Sequence, residues 1–300
     1  MADLTKFLKE IVARVYVYTG AHYFLMKMLD KYKVTIVVYH DPNPESFRAH
    51  LEYLSKNHTF ISLNTLAEAL RRKDWSGIPP HSVVVTFDDG NKSNHGLLKL
   101  LKMYRVTPTV YVCSHIVDTH RHFWWKNDGI DVRKLKRYPF DVMTDRLRYQ
   151  AGFELEREYP DRQALCRFEL EEMSPFVDFG SHTRFHPILT NCGDERCLKE
   201  IADSKIFLEG LLNRSIEHFA YPNGDYEERE IGYLKQSGYL TGRTLDVGRN
   251  SIHADPSRLK AIAIEDDASL PVFRAQLSGL FGYLKYARYR SFRGLRPPLL

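Results

Sequence analysis

Val83-Val84-Val85-Thr86-Phe87-Asp88-Asp89-Gly90 decides how the rest of this 300-residue chain is read. Its first five residues are β-branched or aromatic and carry no charge, the pattern of a buried strand. Two carboxylates and a glycine then stand at the C-terminal end of that strand. Working outward, 34–39 (VTIVVY) and 109–112 (TVYV) are similar runs, and 60–63, 177–179, 216–220 and 259–264 complete the expected strands. Stretches of helical periodicity lie between them at 46–57, 65–72, 97–104, 194–212 and 227–237. Alternation of strand and helix predicts a mainly parallel sheet or barrel, in which sites assemble at the C-terminal ends of the strands. No internal repeat interrupts this order.

Residues 3–18 place Leu4, Phe7, Leu8, Ile11, Val15 and Tyr18 on one helical face, and a second apolar stretch follows at 23–29. Residues 120–175 are aromatic and charged without strand alternation, which predicts a mostly helical insertion. The division expected is therefore a helical segment over 1–33, a catalytic domain over 34–265 with its insertion, and a basic segment over 266–300.

Apolar residues make up 43% of the chain and charged residues 27%, ordinary values for a soluble globular protein. A net charge of +5, without a track of interleaved arginines and aromatics, argues against a nucleic-acid partner. Cys113, Cys166, Cys192 and Cys197 form no CxxC pair and suit free thiols in a reducing compartment; a Cys192–Cys197 bridge stays open for an exported protein. Lys6, Lys9, Glu10 and Arg14 break up the apolar residues of the N-terminus, so neither a signal peptide nor a spanning helix is expected. A cytoplasmic location is the expectation.

Adjacent carboxylates such as Asp88 and Asp89 repel one another unless a cation or hydrogen bonds compensate; a helix cap followed by a glycine turn is the plainer reading. Ser181-His182-Thr183-Arg184-Phe185-His186 spaces two histidines by four, so a helical turn would bring both imidazoles to one face. Asp-His-His is a sufficient three-ligand set for a catalytic metal with open positions. At Ala220-Tyr221-Pro222-Asn223-Gly224 another strand end breaks into a loop that can turn backbone N–H groups toward a substrate oxygen. Trp124, within Phe123-Trp124-Trp125, either stacks on a sugar ring or packs the insertion onto the barrel.

In this order the three segments resemble the motifs of the polysaccharide deacetylase family (NodB homology, carbohydrate esterase type 4). TFDDG at 86–90 is similar to its first motif, SHTRFH at 181–186 to its His-x-x-x-His motif, and AYPNG at 220–224 to its Arg-x-Pro-x-Gly motif. The lead-in VVYHDPNPESFRAHLEYL at 37–54 is like that of exopolysaccharide members, and the likeness covers roughly 34–265. The resemblance implies a distorted (β/α) barrel of fewer than eight full units and removal of N-acetyl groups from amino sugars. It implies that Asp89, His182 and His186 hold the metal, zinc or else cobalt or nickel, and that Asp88 is the general base. The cation would polarise the acetyl carbonyl, and Asp88 would take the proton of the attacking water. A backbone N–H of the 221–224 loop would help hold the oxyanion.

Two family residues are missing. Ala220 stands where the motif arginine that orients the catalytic Asp belongs; Arg184 could reach Asp88 instead, or face substrate or solvent. The late Leu-x-His motif, source of the general acid, is replaced by Leu259-Lys260-Ala261-Ile262, leaving His40, at a strand end, or His253. Residues 283–300 carry Lys285, Arg288, Arg290, Arg293 and Arg296 with no acidic residue, and with the N-terminal helix they suit contact with an anionic membrane as well as packing on the barrel. A cytoplasmic enzyme with such ends would take an N-acetylated glycan or lipid-linked amino sugar. An exported enzyme, a silent glycan-binding relative and a deacetylase of a small amine are the competing readings.

Overall fold

A computed structural model of the chain describes residues 2–20, 22–24, 26, 31–127 and 130–282. Its strands are β1 (Thr35–Tyr39), β2 (Thr59–Phe60), β3 (Ser82–Phe87), β4 (Thr109–Val112), β5 (Asp178–Ser181), β6 (His218–Ala220), β7 (Thr241–Val247) and β8 (Leu259–Ala263). All pair in parallel, and pairing of β1 with both β3 and β8 closes a seven-strand ring in the order β1-β8-β7-β6-β5-β4-β3. The two-residue β2 lies beside the start of β3, outside the ring. This is a distorted (β/α) barrel, as the sequence led us to expect.

The helices are α1 (Ala2–Tyr18), α2 (Pro44–Asn57), α3 (Leu63–Arg72), α4 (Leu98–Tyr104), α5 (Val132–Leu135), α6 (Phe140–Ala151), α7 (Arg167–Met173), α8 (Asp194–Leu212), α9 (Glu228–Gln236) and α10 (Leu270–Leu277). Asn43 caps α2, with Pro44 at a position where its missing N–H costs nothing, and Phe47, Leu51 and Leu54 turn inward. β1 and β3 are buried along their whole length, which is why they read as unbroken apolar runs.

Three local expectations need correction. The strand expected at 60–63 stops at Phe60, because Ser62 caps α3 through a 3.1 Å bond from the Thr65 N–H to its hydroxyl. β7 was not expected at all; its glycine, two threonines, Arg243 and Asp246 hide it from a search for apolar runs. His182 and His186 do not lie on a helical turn: β5 ends at Ser181, and the loop beyond it takes left-handed φ at Thr183 (67°) and His186 (58°). The apolar stretch expected at 23–29 and the basic segment at 283–300 lie largely or wholly outside the described residues.

Candidate active site

β1, β3, β5, β6 and β7 each deliver one element of the site at one end of the barrel. β3 runs into Asp88 and Asp89, both almost fully buried. The Asp88 N–H donates to the Tyr39 carbonyl of β1 (2.9 Å), and the chain then turns through left-handed φ at Asp89 (74°) and Gly90 (76°). A Cβ on Gly90 would come within 2.7 Å of Val112 Cγ1, so glycine there is required by space as well as by φ. Left-handed backbone at Asp89, Thr183 and His186 is strain concentrated at one place, as functional sites often show.

The β5 loop brings His182 and His186 to the same spot, with ring centroids 4.6 Å apart. His182 Nε2 lies 3.7 Å from Asp89 Oδ1 and 3.8 Å from Asp88 Oδ2, and His186 Nε2 lies 3.8 Å from Asp89 Oδ1. Donor atoms of Asp89, His182 and His186 all fall within 4.8 Å of one another. His182 Nδ1 is 2.8 Å from the Ala220 carbonyl, which can only accept, so the proton sits on Nδ1 and Nε2 offers a lone pair. Burial holds both imidazoles below their ordinary pKa, His186 well below, so they are neutral. A lone pair facing a carboxylate oxygen beyond hydrogen-bond length is an unfavourable arrangement that a cation between them resolves. The three residues fit a divalent metal.

Asp88 is treated differently from its neighbour. Arg243, fully buried on β7, donates from Nη2 to both Asp88 carboxylate oxygens. Burial alone would raise the Asp88 carboxyl, but the Arg243 guanidinium foremost outweighs it and holds it below the usual carboxylate range. Asp89 lacks that arginine, and burial leaves it raised. One carboxylate is thus clamped beside the site and its neighbour is left facing the two imidazoles.

With this geometry in view, comparison with known proteins is decisive. Residues 77–242, more than half of the chain, match the polysaccharide deacetylase family. This chain belongs to the polysaccharide deacetylase family. The chain is 24% identical over 227 residues to the poly-beta-1,6-N-acetyl-D-glucosamine N-deacetylase of Staphylococcus epidermidis, a match spanning 75% of this chain and 68% of that one. In fold it is similar to the Streptococcus pyogenes deacetylase PplD in complex with acetate (TM-score 0.61, 21% identity, 83% of this chain and 99% of that one). It is equally similar to IcaB from Ammonifex degensii (TM-score 0.61, 17% identity, 84% and 98%).

The remaining expected residues of the deacetylase fall into place unevenly. Arg184 does not reach Asp88: its guanidinium lies 3.1 Å from His115 Nε2 and 3.6 Å from Asp203, on the outer side of the loop. The clamp expected of it is made by Arg243, a residue the sequence reading missed. The only hint was a charged residue flanked by Gly242 and Thr244 in a stretch with no other reading. Trp124 is fully buried and donates from Nε1 to the His186 carbonyl (3.2 Å), so it braces the site and offers no open face to a sugar. Trp125, partly exposed, lies with its ring 4.2 Å from that of His186 and is the aromatic placed at the mouth.

His40 faces both carboxylates closely enough to lower the pKa of each. Its backbone is fixed from three sides. Its N–H donates to Asp266 Oδ1 (3.0 Å), and its carbonyl accepts from Asn91 and Asn94 (3.2 and 2.9 Å). In the 221–224 loop the Tyr221 N–H donates to the Arg243 carbonyl and the Gly224 N–H to the Tyr221 carbonyl. Pro222 has no N–H, which leaves Asn223 as the loop's candidate oxyanion donor. Asn223 takes φ 60° and accepts from Lys136 Nζ (2.8 Å), a lysine that the insertion lays over the site. His253 is exposed and makes no contact with this cluster.

Proposed function

We propose that this deacetylase hydrolyses N-acetyl groups on amino sugars of a polysaccharide or lipid-linked glycan precursor, using a divalent transition metal, in first place zinc. The observation that carries this reading is the division of labour between Asp88, clamped by Arg243, and Asp89, left to His182 and His186. When bound at that triad, the metal would polarise the acetyl carbonyl and favour deprotonation of water. Asp88 takes the proton of the attacking water as its oxygen bonds to the acetyl carbon. The Asn223 N–H donates to the oxyanion that develops. The C–N bond then breaks, and His40, at the end of β1 beside the two carboxylates, gives the sugar nitrogen its proton. Trp125 supplies a face for a sugar ring.

Acetate release from defined N-acetylated oligosaccharides, free and lipid-linked, before and after chelation and metal return, tests the reading. Poly-β-1,6-N-acetylglucosamine, named for the staphylococcal relative, is the first polymer to try. Activity lost on chelation and restored by zinc is the expected result. Full turnover in the chelated protein overturns the metal assignment, and no acetate release from any N-acetylated sugar overturns the substrate class.

A further inference from the structure

On α1 most of the side chains that engage the protein are polar, and the large aliphatic ones and Phe7 face out. Lys6 pairs with Asp267 (2.5 Å) and Lys9 with Glu265, both just beyond β8. The Ser269 hydroxyl donates to Glu10 (2.6 Å), the Tyr16 hydroxyl to Ser278 Oγ (3.1 Å), and Ala13 is fully buried. At about 100° per residue, Leu4 lies on the side opposite Ala13. Around Leu4 run Phe7, Leu8, Ile11, Val12 and Val15, 42–61% exposed, with Phe7 at 61% and Val15 at 59%. Tyr18 extends the exposed stripe with an aromatic. Scattered apolar residues on a surface need no explanation, but a continuous helical stripe does.

We propose that this stripe docks on an anionic lipid bilayer. Charge points to that occupant. Of 43 Lys and Arg against 38 Asp and Glu, the five in residues 283–300 account for the whole net charge of +5. In sequence that segment begins two residues after Phe281, whose ring lies 4.9 Å from Lys9 Nζ on the barrel-facing side of α1. A second copy of the chain would cover the stripe but would set five cations against five. Anionic headgroups over an apolar interior satisfy both features, and tyrosine at the rim suits the interface between them. No helix among the described residues is long and apolar enough to cross a membrane.

The N-terminal end of the stripe also lies toward the catalytic end of the barrel. Asp267, the partner of Lys6, adjoins Asp266, which holds the N–H groups of His40 (3.0 Å) and Asp41 (3.1 Å). A docked bilayer would therefore flank the mouth of the site and present a lipid-linked sugar to it. That consequence rests on the deacetylase function proposed above, while the docking does not.

The test is co-sedimentation of the full chain with phosphatidylcholine vesicles, with and without phosphatidylglycerol. Binding to the anionic vesicles, weakening as salt rises, is expected. Phe7→Ser with Ile11→Ser should reduce partition by at least about tenfold per side chain, leaving acetate release from a soluble oligosaccharide unchanged. An intact chain that stays in the supernatant, or a double variant that sediments as well as the parent, overturns the proposal. So does a dimer that the double variant dissociates in a chain that ignores vesicles, since the stripe would then belong to a second copy. Partition is read without turnover, so a failed deacetylase assay leaves it interpretable.

Discussion

Replacing Arg243 by Met should damage the site without emptying it. Arg243 is fully buried and holds a buried carboxylate. Removing one partner of such a pair costs about 3–5 kcal/mol, because the other charge is left in a poor dielectric. Against a total stability of roughly 5–15 kcal/mol, that is a large loss. Asp88 can relieve it by taking up a proton. With Arg243 gone, burial dominates, and the carboxyl should rise above its ordinary range. A base that must be ionised to work is then protonated at higher pH than in the parent, so the acidic limb of kcat/KM should move up. Metal content should stay at the parent level, because Arg243 is not among the residues facing the ligand position. Urea denaturation and a kcat/KM profile from pH 5 to 9 on the parent, Arg243→Met, Arg243→Lys, Asp88→Asn and Asp88→Asn/Arg243→Met check each step. The double variant should lose less stability than the two single losses added together, since the neutral amide needs no counter-charge. A methionine variant with the parental acidic limb and stability would refute the argument and leave Arg243 a packing residue.

His186→Ala should lose bound metal and activity together while circular dichroism stays near that of the parent; stoichiometric metal with normal turnover in that variant would remove His186 from the ligand set. Asp88→Asn should keep the metal and lose about 10²–10⁴-fold in rate, the usual worth of a positioned general base, whereas metal loss would make Asp88 a ligand. His50 and His218, outside the cluster of Asp88, Asp89, His182 and His186, are held by burial at pKa values of about 4. Between that value and the unfolded value near 6.5 the unfolded chain binds more protons, so stability falls as pH drops through this window. At pH 5 the loss is about 2 kcal/mol per histidine. Urea midpoints at pH 7 and pH 5 should differ accordingly, and His218→Gln should flatten part of the difference.

Most of the barrel was legible because its strands are buried on both faces and read as unbroken apolar runs, β3 most plainly. The carboxylates and the two histidines were legible too, since each pair is contiguous or nearly so and sits where a strand ends. Their joint geometry was not: the histidines meet through left-handed backbone rather than a helical turn. Arg243 was silent because its partner lies 155 residues away and its strand carries no apolar run. Only closure of β7 into the ring brings the guanidinium to Asp88, level with Ala220, whose backbone carbonyl accepts from His182. In the same way, the sequence determined that α1 has one apolar face but not which way that face turns. Glu265, Asp267 and Ser269 lie more than 250 residues further on, and by engaging Lys9, Lys6 and Glu10 they draw the polar face inward and leave the apolar one outside.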